Sequence, residues 1–339
     1  MIDLNTIWFL LVGVLLIGYA VLDGFDLGVG VLHLFAKDER ERRTNLNAIG
    51  PVWDGNEVWL LTGGGALFAA FPVVYATVFS AFYLALMLLL LALILRAVSF
   101  EFRSKLDSPA WRRLWDWAFG IGSLLPAILF GVAIGNVVRG LPLDANGTFL
   151  GSFLGLLNPY SILIGVLGLV LFVMHGAIYM TMKTDGEHRQ SMLAWANGAW
   201  ITGVLLYVVA TITTFFAAGF LFEGVLRQPL FWLLLGLLFA SLLYLPLALR
   251  KAKYLVAFVC SSIGIACMMG LAATSLFPRI VPSSIDLASS LTIYNASSTP
   301  RTLFTMLVIA LIGMPIVIGY TVAIYWVFKG KVVLDSNSY

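Results

Sequence analysis

Apolar segments long enough to cross a lipid bilayer alternate with short polar connections along the chain. A membrane-spanning helix needs roughly 20 predominantly apolar residues. Segments of this kind lie near 6–35, 49–71, 75–100, 115–138, 159–182, 193–219, 229–249, 254–277 and 303–328. The pattern predicts an all-α integral membrane protein of about nine transmembrane helices, in which a short turn around Pro72 separates the second helix from the third.

Lys and Arg residues are distributed unevenly over the connections between these segments. The connections after odd-numbered segments and the C-terminal tail hold fifteen of the 20 basic residues, and the opposite side holds four. Because cytoplasmic loops are enriched in Lys and Arg, we expect a periplasmic N-terminus and a cytoplasmic C-terminus. The four residues on the outer side are Arg139, Arg227, Arg279 and Arg301, and Arg96 lies inside a segment.

Short similarities between the two halves of the chain suggest an internal repeat. Asp23-Gly24 precedes a basic connection in the first segment, and His175-Gly176 does so in the fifth. Parallel repeats are a known membrane architecture, although so short a match also leaves a chain without a repeat open. The expected organisation is one membrane domain over 1–339, with four-helix units at 6–138 and 159–277 and a peripheral ninth helix at 303–328.

Composition limits the classes of function. Hydrophobic residues make up 61% of the chain and charged residues 11%, about half the charged share of a typical soluble domain. A net charge of +3 spread over short loops argues against a nucleic-acid partner. Cys260 and Cys267 are too few for a disulfide framework or a zinc site, so we expect both to pack within a helix. The N-terminus lacks the basic region of a cleavable signal peptide, so we expect the first helix to be retained.

Ionisable residues within the predicted helices are concentrated in the first three segments. Each costs at least ~2.5–3.5 kcal/mol to place in a membrane helix and therefore needs a function or a partner. They are Asp23, Asp26, Asp54, Glu57, Arg96 and Glu101, all in the cytoplasmic halves of their helices. One interpretation is a proton path from the cytoplasm, since carboxylates in a low dielectric can exchange protons near neutral pH. In the alternative, Arg96 forms an ion pair with an acid such as Glu57 and the other acids cap helices.

Small and aromatic residues surround these acids. Gly24, Gly28 and Gly30 in the first segment are expected to allow close helix packing, as is the run Gly63-Gly64-Gly65 in the second. Trp53 and Trp59 flank the acidic pair of the second segment. Isolated tryptophans usually anchor a helix at the membrane interface, but a tryptophan beside a buried acid is less ordinary.

The chain has few histidines that could act as haem ligands. The three histidines are His33, His175 and His188, whereas a chain that binds several haems needs several buried His, Met or Cys ligands. We therefore expect this chain to hold no haem and no metal. His175, inside the fifth segment, is interpreted as a packed or hydrogen-bonded residue.

Several sequence motifs, taken together, carry a resemblance to a known family. The two most specific are Leu22-Asp23-Gly24-Phe25-Asp26-Leu27-Gly28-Val29-Gly30 and Pro51-Val52-Trp53-Asp54-Gly55-Asn56-Glu57-Val58-Trp59-Leu60. Others are Phe102-Arg103-Ser104-Lys105, Trp115-Asp116-Trp117, Leu157-Asn158-Pro159, Phe277-Pro278, Pro282-Ser283-Ser284 and Ser290-Leu291-Thr292-Ile293. In register along the whole chain, these motifs resemble subunit II of cytochrome bd-type quinol oxidases.

The resemblance implies a partner and a reaction. Subunit II pairs with a haem-bearing subunit I of the same overall fold, which carries the b and d haems, and often with a small single-helix subunit. The complex lies in the bacterial cytoplasmic membrane, oxidises a membrane quinol and reduces dioxygen to water. It generates a protonmotive force without pumping, and in some members subunit II holds a structural quinone or an oxygen route.

The resemblance also implies roles for particular residues. Asp54 would be the central carboxylate of a cytoplasmic proton path, with Glu101 and Lys105 at its mouth, although family members can have Asp where Glu101 stands. Asp23 and Asp26 join this path, and Trp59, with Trp53, would lie near the oxygen route or the contact with the haem subunit. No catalytic residue is expected in this chain. The connection around 223–228 is shorter than in some members, which leaves a quinone or small-subunit contact there open.

Two other functions fit the same polar residues. A secondary transporter could use acids on adjacent helices as an ion-coupling site. A purely structural membrane protein could retain the same residues only as paired charges. A transporter would purify alone and colourless, whereas an oxidase subunit would purify with a coloured haem protein.

Overall fold

The computed structural model describes residues 3–334 of the chain. Its α-helices are α1 (Leu4–His33), α2 (Glu39–Ile49), α3 (Trp53–Ala70), α4 (Pro72–Ala81), α5 (Tyr83–Phe102), α6 (Pro109–Arg139), α7 (Phe153–Leu156), α8 (Pro159–Lys183), α9 (Gly186–Ala217), α10 (Pro229–Arg250), α11 (Tyr254–Leu276) and α12 (Pro300–Val327). Short 3-10 helices span Gly219–Phe222, Val225–Arg227 and Leu287–Ser289. The strands β1 (Arg279–Val281) and β2 (Leu291–Thr292) form an antiparallel pair.

Eight helices of the described chain are long and apolar enough to cross a membrane: α1, α5, α6, α8, α9, α10, α11 and α12. The helix α3 corresponds to the second predicted segment, but it is not among the eight. Its 18 residues include Asp54, Asn56 and Glu57 in the first two turns, which lowers its hydropathy. Whether α3 makes a ninth span stays a prediction.

The third predicted segment, 75–100, is divided between two helices. The single residue Phe82 separates α4 from α5. Backbone bonds continue across the interruption, because the amide of Phe82 donates to the carbonyl of Val78 at 2.9 Å and that of Leu86 to Phe82 at 2.8 Å. The two helices therefore continue one another across a local irregularity, which apolar periodicity cannot reveal. The short polar helix α2 was also not predicted.

Side-chain caps and prolines fix where several helices begin. The carboxylate of Asp3 accepts a hydrogen bond from the amide of Thr6 at 2.7 Å at the start of α1, and Asp38 caps α2 in the same way. Asn158 caps α8 and Thr299 caps α12, each directly before a proline. These caps satisfy amide groups that the first helical turn leaves without partners.

Glycines allow the central helices to approach closely. A Cβ atom at Gly28 of α1 would collide with the carbonyl oxygen of Phe172 in α8, and one at Gly176 would lie 2.6 Å from the amide nitrogen of Val29. A Cβ at Gly131 of α6 would lie 2.7 Å from the Cα of Gly165 in α8. Small residues thus bring α1, α6 and α8 together, as is usual for membrane helices.

The expected role of the glycine run in α3 is only partly correct. A Cβ at Gly63 would meet the Leu16 side chain at 3.2 Å, but Gly64 and Gly65 have no atom of the chain within 4 Å of that position. These two glycines lie on the outer side of α3. The helix α12 is also peripheral, because Leu303 is its only buried residue. Parts of α3 and most of α12 therefore face lipid or another protein.

The end of the molecule opposite the basic connections is closed by loops. The β1–β2 pair lies beside the loop that follows α6, where Leu141 forms an isolated bridge with Ser283. The amide of Ser298 donates to the carbonyl of Ala70 at 2.8 Å, and the indole of Trp8 donates to Leu303 at 2.9 Å. Hydrogen bonds to the backbone hold this end together, and large apolar side chains such as Phe71, Leu141 and Ile293 fill it.

Candidate functional site

A buried arginine connects three helices in the membrane part of the chain. Arg96 of α5 makes a two-pronged ion pair with Asp23 of α1, with nitrogen–oxygen distances of 2.7 and 3.1 Å. The same guanidinium contacts Glu57 of α3 at 2.9 Å. The side chains of Arg96 and Asp23 are fully buried, and that of Glu57 is 22% exposed. Asp23 is therefore held as a paired charge, while Glu57 lies at the edge of the site.

The second acid of α1 has different partners. One carboxylate oxygen of Asp26 accepts a hydrogen bond from the Asn56 amide at 2.6 Å, and the other has no partner among the described residues. The hydroxyl of Tyr325, in α12, donates to the Asn56 oxygen at 3.0 Å. We call Asp23, Asp26, Asn56, Glu57 and Arg96 the membrane network.

The start of α3 lies against the end of α5. The rings of Trp53 and Phe100 stack with their centroids 4.9 Å apart, and Glu57, one turn deeper, meets Arg96. Asp54 and Glu101 each directly follow one of the stacked residues, and both are exposed on the isolated chain. Glu57 thus lies in the α3–α5 contact, whereas Asp54 and Glu101 are adjacent in sequence to the stacked pair and exposed.

Lys105 and Trp59 occupy different surroundings. Lys105 follows the end of α5 and is exposed. The ring of Trp59 packs directly over Gly18 of α1, and its indole nitrogen has no hydrogen-bond partner in the described chain. Trp59 is thus a packing contact between α1 and α3, deeper along α3 than the acids.

A second charge network lies at the end of the helices that carry these acids. One oxygen of Asp116 contacts His33 at 2.7 Å and Arg103 at 2.6 Å, and the other contacts Arg42 at 2.7 Å. Arg103 also makes two hydrogen bonds to Glu39, of 2.8 and 3.0 Å. We call these five residues the end network. It ties together the end of α1, the helix α2, the end of α5 and the start of α6.

The end network was missed as a site from the sequence. Arg103 and Asp116 were noted only within motifs, and His33 only as a residue near a helix end. Burial lowers the pKa of the Arg103 guanidinium, but hydrogen bonds to Glu39 and Asp116 outweigh burial and raise the pKa above its ordinary value. Arg103 is therefore a permanent charge. No local pattern marked this network, because His33 and Arg42 lie 83 and 74 positions from Asp116 along the chain.

His175 is packed and hydrogen-bonded, as predicted. Its Nδ1 lies 2.7 Å from the Ser261 hydroxyl and its Nε2 lies 3.0 Å from the carbonyl oxygen of Val21. The ring stacks on Phe258 with a centroid distance of 4.6 Å. Both ring nitrogens are occupied, so the residue has none left for iron. Cys260 and Cys267 are buried thiols within α11.

The membrane network contains more acids than cations. Asp23 and Glu57 contact Arg96 and Asp26 does not, so the charges balance only when some carboxyls carry a proton. Unpaired buried carboxylates are strongly disfavoured. Within residues 3–334, no group of three or more His, Cys, Asp or Glu side chains could hold a metal ion. The arrangement suits proton transfer and charge pairing.

Comparisons with known proteins agree with the motifs. Residues 4–328 match the sequence model of the family described as cytochrome bd terminal oxidase subunit II. The chain is 40% identical over 366 aligned residues to cytochrome bd-I ubiquinol oxidase subunit 2 of Escherichia coli K12, covering 98% of this chain and 96% of that protein. It is 39% identical over 336 residues to cytochrome bd ubiquinol oxidase subunit 2 of Bacillus subtilis 168, covering 98% of each.

The fold has a counterpart among solved structures. The chain superposes on a chain from the bd oxidase of Geobacillus thermodenitrificans with a TM-score of 0.81, covering 96% of this chain and 99% of that one. The sequence identity in this superposition is 15%. The match therefore concerns the fold alone.

Proposed function

Because the chain belongs to the cytochrome bd terminal oxidase subunit II family, we propose that it pairs with a haem-bearing subunit I to couple quinol oxidation to the reduction of dioxygen to water. It is a multi-pass protein of the bacterial inner membrane. Its own contribution is to support the haem subunit and to shape a cytoplasmic proton path. The observation that carries this role is the carboxylate of Glu57, which lies in the α3–α5 contact against the buried Arg96 and three residues after the exposed Asp54.

The proton path begins at the exposed end of that contact. Glu101 and Lys105 lie at its mouth, and Asp54 receives protons from them. Glu57 lies one turn deeper and shares Arg96 with Asp23. Because Asp54 and Glu101 are exposed on the isolated chain, subunit I completes the wall of the path and accepts its protons.

The orientation follows from the distribution of basic residues. The end network, with Arg42 and Arg103, lies at the end where the connections are rich in Lys and Arg. We assign this end to the cytoplasm. The N-terminus of α1 is then periplasmic, the end of α12 is cytoplasmic, and the mouth of the proton path opens to the cytoplasm.

The architecture is proposed as two four-helix units with one peripheral helix. The first unit contains α1, α3, α5 and α6, with α4 continuing α5. The second contains α8, α9, α10 and α11. The glycine crossing of α1 and α8 joins the units, and α12 lies outside both.

Subunit I is proposed to cover the outer faces of α3 and α12. These faces carry many exposed apolar side chains, among them Leu61 at 74% and Trp326 at 66%, and Gly64 and Gly65 would allow a partner helix to approach closely. Trp53 and Trp59 lie on the same helix as this face. A small single-helix subunit is a further expected partner.

The two fully buried histidines already have hydrogen-bond partners in this chain. Both nitrogens of His175 are hydrogen-bonded, and His33 is buried against Asp116 and the Phe119 ring. We therefore assign the b and d haems to subunit I. Quinol is the reductant of the whole complex, and a structural quinone in this chain stays a prediction. An ion-coupled transporter is not favoured, because the relatives are named as oxidase subunits.

The test uses the intact complex purified through a tag on this chain. Reduced b- and d-type haem bands should co-purify, and oxygen consumption should depend on added quinol. Asp54→Asn should slow oxygen reduction by roughly tenfold or more, which is the order expected for loss of a proton-transfer group. Haem content should be unchanged.

A matched control is Glu187→Gln, which neutralises an exposed acid at the start of α9, outside the proposed path. It should turn over at the wild-type rate. Normal turnover of the Asp54→Asn complex would refute the proton path. A colourless preparation of this chain alone would refute the oxidase assignment.

A further inference from the structure

Asp26 contacts no positively charged side chain, whereas Asp23 contacts one. Asp23 faces the Arg96 guanidinium at 2.7 Å, whereas Asp26 accepts one hydrogen bond from a neutral amide. Asp26 is completely buried, and its second oxygen has no partner in the described chain. Such a carboxyl is stable only when it carries a proton or borders water. It therefore needs a route by which protons reach it.

A small recess lies close to Asp26, between the start of α3 and the end of α12. Its volume is about 20 Å³, and its walls include Gly55, Asn56, Tyr320 and Tyr325. One water molecule needs about 10–15 Å³ of such space and two or more polar partners. Tyr325 lies two positions before the last residue of α12, near the end that we assign to the cytoplasm.

The Asn56 side chain separates this recess from Asp26. Its nitrogen donates to Asp26 at 2.6 Å and to the Leu22 carbonyl at 3.1 Å. Its oxygen accepts from the Tyr325 hydroxyl at 3.0 Å. The amide is held on both sides, so water reaches Asp26 only when the amide turns away.

We propose that this recess is a second proton entry, which ends on Asp26 and is gated by Asn56 with Tyr325 as the residue that positions it. This inference rests on the proposed function but uses a route distinct from the Glu101–Asp54 path. A proton moves from hydronium in the recess to the free oxygen of Asp26. One O–H bond of hydronium breaks, the carboxyl O–H bond forms, and the remaining water is protonated again from the cytoplasm.

The gate is tested by hydrogen–deuterium exchange of the Asp26 carboxyl in the whole complex. The infrared band of a protonated carboxyl is assigned by its loss in Asp26→Asn, and its shift is followed in time after transfer to D₂O. Tyr325→Phe keeps the ring and removes the hydroxyl that holds Asn56. Exchange should become about fivefold faster, which corresponds to the loss of one ordinary hydrogen bond.

The control is Tyr244→Phe, which removes a tyrosine hydroxyl from α10, away from the recess; Tyr244 is 40% exposed. Its exchange rate should equal that of the wild type. Asn56→Ala removes the gate itself and provides a second variant, with faster exchange expected. Equal exchange in Tyr325→Phe and Tyr244→Phe, or no Asp26 band at any pH in a folded complex, would overturn the proposal.

The two proposals fail in different ways. If Asp54→Asn turns over normally, the Glu101–Asp54 path is wrong, but the exchange rate of Asp26 can still depend on Tyr325. If Asp54→Asn is slow and Tyr325→Phe exchanges at the wild-type rate, only the second entry is wrong. The exchange measurement does not require turnover.

Discussion

The two charge networks of this chain differ in their balance of acids and cations. The membrane network sets three carboxyls against the single guanidinium of Arg96. The end network sets Arg42, Arg103 and His33 against the carboxylates of Asp116 and Glu39. One network therefore has fewer cations than acids, whereas in the other each acid contacts at least one guanidinium.

This difference in charge balance separates acids that can exchange protons from acids that are held in ion pairs. An acid without its own cation in a low dielectric gains and loses protons more readily than one held by several donors. We infer that the membrane network transfers protons, while the end network holds the helix ends in place. The same residue types thus serve two functions, according to the ratio of charges.

The largest effect is expected from Arg96→Leu. It leaves Asp23 buried without a counterion, and removing one partner of a buried ion pair costs about 3–5 kcal/mol. Thermal unfolding of the purified complex should show a large loss of stability or a failure to assemble. Arg96→Lys, which keeps the charge, should recover part of the loss. A fully stable Arg96→Leu complex would contradict the charge balance proposed for the membrane network.

The next largest loss of stability is expected from Gly28→Leu. Gly28 lies in α1, the helix that carries members of both networks. The new side chain meets the backbone of Phe172, and overpacking of this kind costs about 1–3 kcal/mol or more. Gly64→Leu is the control, since no atom of this chain lies within 4 Å of its Cβ position. Stability of the isolated chain in detergent should fall for the first variant only. Equal loss in both would show that the α1–α8 crossing does not limit packing.

A smaller effect is expected from Asp116→Asn. The change leaves the largely buried Arg103 with Glu39 as its remaining carboxylate partner, at a cost of about 2 kcal/mol. Unfolding should occur at lower temperature, while oxygen reduction per intact complex stays unchanged. The control, Asp107→Asn, alters a carboxylate that is 94% exposed. A slowed turnover in a stable Asp116→Asn complex would mean that the end network also takes part in proton transfer.

The smallest effect on stability is expected from Glu57→Gln. Glu57 is partly exposed, and Arg96 keeps Asp23 as a partner, so the unfolding free energy should change by less than about 1 kcal/mol. Oxygen reduction should slow severalfold, because a proton-exchanging acid is lost. Stopped-flow oxygen consumption and thermal unfolding measure the two quantities on one sample. A stable variant with wild-type turnover would place Glu57 outside the path.

The sequence predicted the elements of the membrane network better than their pairing. Apolar periodicity placed the spans, and the energetic penalty for charges in lipid identified Asp23, Asp26, Glu57 and Arg96 as residues that need partners. Spacing of i, i+3 put Asp23 and Asp26 on one helix face. The spacing could not show that, of these two acids, only Asp23 contacts Arg96, because that contact depends on the rotation of α1 against α5.

For the end network, the sequence predicted neither the members nor their contacts. His33 and Asp116 are 83 positions apart, and Arg42 and Asp116 are 74 apart. His33 and Asp116 lie near the ends of their predicted segments and Arg42 lies between two segments, where an ionisable side chain can reach water and is not marked as costly. Their contact requires the folded arrangement of α1, α2, α5 and α6, so local patterns gave no signal for it.

Residue order alone was enough to predict a helical membrane protein of this oxidase family, with ionisable residues clustered in its first helices. Hydrophobic length and specific motifs are local properties, so they can be read from the residue order. The folded structure was needed to show which acid pairs with Arg96, which acids are exposed and which one bonds Asn56. Those outcomes depend on the close approach of helices at glycine contacts. The energy of a buried charge is set by its distance from other side chains in space, and spacing along the chain does not give that distance.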